Sequence, residues 1–94
     1  MTEDDRRWGS AKHTRMNEQL EQLRRTTRAK IIAEMGPPDR IAKADSELWG
    51  MALGPDAPTD GELLIYEWRG LHDFVWFLVD GDAVQKADWW MAYE

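Results

Sequence analysis

Over residues 62–90 the apolar positions do not alternate with polar ones. They fall on both faces of what the pattern predicts as three strands joined by two tight turns. A strand sends successive side chains to opposite faces, so a strand buried on one side alternates apolar with polar. Pairing Arg69 with His72 across a Gly70-Leu71 turn, and starting a second turn at Asp80-Gly81, sorts the side chains. One face then carries Leu63, Ile65, Phe74, Trp76, Leu78, Ala87 and Trp89. The other carries Leu64, Tyr66, Trp68, Val75, Phe77, Val79, Val84 and Trp90, interrupted by Lys86 and Asp88. Two apolar faces need two covers.

The covers must come from upstream. Residues 1–10 read as a flexible polar tail with one tryptophan, Trp8, and residues 11–94 as a single α+β domain. From Ala11 the period becomes helical, with Met16, Leu20 and Leu23 on one stripe and Glu21 spaced to pair with Arg25. Thr27 is placed to cap a second helix over residues 28–35, with Ile31, Ile32 and Met35 on its buried side. One continuous helix through Thr26-Thr27 is the competing reading, disfavoured by two successive β-branched residues. Gly36 is expected in a left-handed cap, and Pro37-Pro38 cannot continue a helix. The course of residues 40–61 is left open by the pattern: residues 47–53 suit a first strand with Gly50 at a bulge or bend, and residues 54–61, with two Gly and two Pro, a loop. The expected fold is one or two N-terminal helices packed on an antiparallel three- to four-stranded meander sheet.

Composition narrows the function classes. Ninety-four residues make one small domain near the low end of what buries a self-sufficient core. With no cysteine there is no disulfide, thiolate nucleophile or thiolate metal site. No run approaches the ~18 apolar residues of a membrane span, and the first residues lack an apolar export core. A cytoplasmic protein is the default expectation. The net charge of −6 is unevenly spread: residues 1–30 hold eight Lys/Arg against five Asp/Glu, and residues 31–94 hold four against thirteen. Such an acidic body repels phosphate backbones and favours basic partners.

Candidate chemistry is sparse. A catalytic reading starts from His13 and His72; His72 beside Asp73 suggests a base and its orienter, but adjacent strand residues point to opposite faces. No nucleophile motif is present. Asp80-Gly-Asp82 matches a fragment of a calcium loop yet is explained as a hairpin turn. Arg24, Arg25, Arg28 and Lys30 form a basic stretch in which residues 24, 25 and 28 share a helix face suited to a local phosphate contact, although the aromatic residues lie in the acidic part of the chain. The expectation is a non-enzyme with no catalytic residue, metal or cofactor, and nucleic acid is not its partner.

Two stretches carry a resemblance. Thr27-Arg-Ala-Lys-Ile-Ile-Ala-Glu-Met-Gly-Pro-Pro-Asp39 resembles the helix-and-turn signature of the SmpA/OmlA (BamE-like) family, in which a short helix ends at the Gly and Pro-Asp leads into the first strand. Leu64-Ile-Tyr-Glu-Trp68 and Phe77-Leu-Val-Asp-Gly-Asp-Ala-Val84 resemble the strands that follow, so the likeness spans roughly residues 24–90. It implies a two-helix layer on an antiparallel sheet, similar to that of proteinaceous β-lactamase inhibitors, and a habit of serving as a binding module. Those family members are lipoproteins with an export signal and a lipidated cysteine. This sequence shows neither, so the outer-membrane assembly role is not implied.

Tyr66, Trp68, Phe77 and Trp90 are the candidate partner-binding residues. If the helices cover only the Trp76/Trp89 face, this second aromatic face must bury itself against another chain, most simply in a two-fold homodimer. Replacing Trp68 with a charged residue should then break an interface and leave the fold intact. The expected function is a protein-protein interaction module, with self-association through that face as its simplest form. The alternative is a small acidic regulatory or immunity-type inhibitor of a basic partner. If the chain's own N-terminal helix buries the face, the function is to be sought in the acidic loop around Asp56 and Asp60. An apolar ligand held between faces is a minor variant.

Overall fold

The computed structural model describes residues 10–44, 46–54, 57–68 and 73–91. The proposed tail with Trp8, the turn at residues 69–72 including His72, and Asp56 lie outside them. The described elements are α1 (Ala11–Leu23), α2 (Arg28–Met35), β1 (Arg40–Ala42), α3 (Glu47–Leu53), β2 (Glu62–Glu67), β3 (Asp73–Asp80) and β4 (Ala83–Met91). The strands form one antiparallel sheet in the order β1-β2-β3-β4, the α+β meander the pattern predicts.

Each helix starts where its sequence supplies a cap. Ser10 accepts from the His13 amide, Thr27 from the Lys30 amide and Ser46 from the Trp49 amide. Thr27 thus separates two helices. The stripe Met16, Leu20 and Leu23 is buried as expected and is joined by His13. On α2 Ile31 is buried and Met35 half-buried, whereas Ile32 turns out to solvent. Glu21 pairs with Arg24 one position earlier than expected.

The end of α2 differs in detail from a left-handed cap. Gly36 has φ 80° and ψ −173°, with its N–H still bonded to the Ile32 carbonyl. That region of backbone space is essentially restricted to glycine. A Cβ at Gly36 would meet nothing within 4 Å, so a substitution there costs backbone strain alone. Gly36→Val is expected to destabilise by about 1–3 kcal/mol, read as a lower urea midpoint at unchanged slope.

The largest departure concerns residues 47–53. They form α3, not a strand, and the first strand is the three-residue β1. The physical reason lies in the periodicity: Leu48, Trp49, Ala52 and Leu53 fall at i, i+1, i+4 and i+5 and all pack on the sheet. The Ser46 cap and Glu47 in the first turn favour the same choice.

The sheet is therefore covered on both sides. Met16, Leu20, Leu23 and Ile31 pack over Leu64, Tyr66, Trp68, Val75, Phe77 and Val79. On the opposite side α3 brings Trp49 over Ala42, Leu63, Ile65, Phe74, Trp76 and Leu78. Most of the face assignment of β2 and β3 follows the predicted one, and the β2–β3 register, Glu67 opposite Phe74, is what an Arg69–His72 pairing would require.

In β4 the assignment reverses. Val79 pairs with Val84 but Leu78 pairs with Lys86, so Gln85 is an extra residue in a β-bulge. One added residue sends every later side chain to the other face. Ala87 and Trp89 consequently join the α1 side, and Trp90 joins the α3 side.

Candidate functional site

The four predicted partner-binding residues do not form one surface. Tyr66, Trp68 and Phe77 are brought together, but as interior residues beneath α1 and α2, at 5%, 0% and 0% exposure. Trp90 is on the opposite face, stacked on Phe74 with ring centroids 5.4 Å apart. The expectation failed for two reasons. The bulge at Gln85 displaced Trp90, and α1 and α2 lie over the Tyr66/Trp68 face, leaving the Trp76 face to α3.

The covered face is held by polar partners as well as packing. His13 lies 4.5 Å from the Trp68 ring and 5.5 Å from the Trp89 ring. Asn17 accepts from the Trp89 indole N–H at 2.6 Å. The Tyr66 hydroxyl donates to the Gly36 carbonyl at 2.8 Å, and burial, with the Asp39 charge adding to it, pushes its pKa up to about 12. The bond ties β2 to the end of α2, and Tyr66 acts there as a neutral donor. His13 thus belongs to a packed aromatic cluster.

The remaining candidates are also structural. Asp82 accepts the Ala29 amide with its carboxylate and the Arg28 amide with its carbonyl, so the Asp80-Gly81-Asp82 turn docks on the start of α2. Among the described residues no three His, Cys, Asp or Glu side chains converge as metal ligands. Of the basic stretch, Arg24 pairs with Glu21 and Asp88, Arg28 with Glu62, and Lys30 with Glu34. Glu62 also meets Lys43 at 2.9 Å. The hydrogen bond from Arg28, reinforced by that from Lys43, holds the Glu62 carboxyl below its ordinary range despite some opposing desolvation.

A depressed folded-state pKa adds stability above the unfolded value of about 4.5, and that stability is lost as pH falls through the folded value. The advantage of the native chain over Glu62→Gln, on the order of 1 kcal/mol or less for such part-exposed pairs, is therefore expected to shrink on acidification from about pH 7 to pH 3. Urea titrations at the two pH values measure it.

One edge of the sheet is covered and the other is short. The Val84 amide donates to the Thr26 carbonyl, and the Arg24 guanidinium donates to the Ala87 carbonyl at 2.5 Å. The Trp89 amide is taken by the Asp88 carboxylate at 2.8 Å. The α1–α2 connection thus occupies the outer edge of β4, and the other edge is only the short β1. Covering or shortening edges is how sheets avoid edge-to-edge pairing.

What stays open is the β4 end of the α3 side. There the sheet presents exposed Lys86 and Asp88 and half-buried Trp90, beside Trp76. An open cleft of ≈ 500 Å³ is lined there by residues including Ala52, Leu53 and Trp76. Comparison with family models, curated proteins and solved structures gave no match. No helix among the described residues is long and apolar enough to cross a membrane.

Sequence reasoning placed Trp76 in the core, where it lies, and missed that it also lines this cleft. The available signal was the pair Lys86 and Asp88, which interrupt whichever face they join; the bulge assigns them to the Trp76 side.

Proposed function

We propose that this chain is a non-enzymatic protein-interaction module that docks a partner protein on the Trp76/Trp90 side of its sheet. The observation that carries the reading is the asymmetry of cover. Two helices close the Tyr66/Trp68 face, whereas a seven-residue helix covers the other and leaves its β4 end bounded by Trp90, Lys86 and Asp88. An apolar centre ringed by charge is the anatomy of a binding surface, and tryptophan is enriched among its energetic anchors. With the β4 edge covered and β1 only three residues long, recognition in this reading falls to side chains. A second copy of the chain is the simplest partner.

Light scattering across a tenfold dilution tests self-docking: the mass should fall toward that of one chain on dilution and stay there in Trp90→Ser. For a different partner, a photoreactive residue at Met51, exposed on α3, should cross-link it, while one at Glu34 on α2 should not. One mass at every concentration together with no position-dependent cross-link sinks the reading. A basic partner released by salt and indifferent to both positions would favour the acidic inhibitor reading, which rests on the excess of carboxylates in residues 31–94.

A further inference from the structure

The cleft beside Trp76 has the opposite charge from the rest of the molecule. Its rim holds Arg24, Arg25 and Lys86 against one carboxylate, Asp88, in a chain of net charge −6. Arg24 is committed to Glu21, Asp88 and the Ala87 carbonyl. Arg25 and Lys86 are exposed and make no ion pair among the described residues.

The floor adds an independent feature. Trp76 is 7% exposed, and its indole Nε1 is buried with no hydrogen-bond partner among the described residues. By contrast, the Trp49 indole donates to the Pro58 carbonyl and the Trp89 indole to Asn17. Buried donors are nearly always satisfied, so one that is not calls for an explanation. Ala52 and Leu53 give the same cleft an apolar wall.

We infer that this cleft takes an acidic segment of a protein partner, with an apolar side chain against Trp76 and Leu53 and flanking carboxylates on Arg25 and Lys86. A peptide oxygen of that segment supplies the acceptor that Trp76 lacks, after a small opening of its surroundings. The inference rests on the protein-docking reading and deepens it. An open cleft with a charged rim fits a polypeptide better than a small molecule, which needs most of its surface enclosed. Charge complementarity selects the acidic partner, since like charges opposed across an interface are costly.

The test uses the isotope-labelled full chain and follows the Trp76 indole N–H resonance by NMR. The probes are a capped acidic pentapeptide with a central leucine, its lysine counterpart, the acidic peptide with glycine at the centre, and free acetate. The expected result is a saturable shift with the acidic leucine peptide alone, weakened about tenfold or more by Arg25→Glu and Lys86→Glu together. Both positions are exposed, so the variant keeps its fold. Equal shifts with acetate or with the glycine peptide would reduce the site to simple anion binding and overturn the inference. A shift with the lysine peptide would overturn the acidic preference while leaving protein docking in place. No shift with any probe overturns the inference, and the cross-linking at Met51 then decides the docking reading separately.

Discussion

Trp68→Ala is expected to cost about 3–5 kcal/mol, the range for truncating a large buried aromatic side chain. A domain of this length has a total stability of about 5–15 kcal/mol, so the variant should be largely unfolded or melt far below the native chain. Trp68 has no exposed surface and sits within α1's cover, against His13 and with Trp89 edge-on at 5.9 Å. Trp68→Glu should be worse, because an unpaired carboxylate would be driven into that core. This reverses the expectation from the sequence, in which a charge at Trp68 broke an interface and spared the fold. Circular dichroism during thermal unfolding measures both variants. A native-like melt for Trp68→Glu would mean that α1 does not lie over this face.

Deleting Ala87 should abolish the fold, whereas deleting Gln85 should not. Gln85 is the extra residue of the bulge, so its removal leaves Leu78 opposite Lys86 and Phe77 opposite Ala87. Every side chain beyond it keeps its face, and only the local twist is lost. Removing Ala87 slips the rest of β4 by one. Asp88 then takes the buried place opposite Phe77, and Trp89 leaves His13 and Trp68 for the α3 side. The pair of deletions separates the effect of register from that of shortening the strand. Equal loss of the folded signal in both would show that β4 tolerates no shortening and that the bulge does not set the faces.

The two experiments bear on the feature that the sequence conceals best. In a strand apolar on both faces, the pattern fixes that both sides are buried but cannot detect a one-residue bulge. A slip that exchanges Ala87 and Trp89 for Trp90 leaves the count of apolar side chains on each face almost unchanged. The hydrophobic pattern therefore supplied β2, β3 and β4 and the β2–β3 register, and left the faces at the end of β4 undetermined.

Local chemistry was legible wherever one residue decides one conformation. Thr27 started α2, Gly36 ended it before Pro37-Pro38, and Gly81 with φ 64° sits at the first central position of the β3–β4 turn. These are short-range effects of side-chain acceptors and backbone sterics, which the chain carries wherever it folds. Residues 47–53 lacked such a decision, because seven mostly apolar residues with one glycine suit a strand or a helix alike. The second sheet face tips that balance. A helix there buries Trp49 at 3% exposure and lets its indole reach the Pro58 carbonyl at 3.0 Å.

By itself, then, the sequence determined the class of fold, the end of the helix at Gly36 and the need for two covers, and it favoured a break at Thr27 that the structure decided. Tertiary structure alone decided which helices cover which face, where the charges of β4 emerge, and that Arg25, Lys86 and Trp76 meet at one cleft. Those residues are separated by 51 and 61 positions from the first to the others. No local periodicity links them, because their meeting depends on the α1–α2 connection lying along the β4 edge through Thr26 and Thr27.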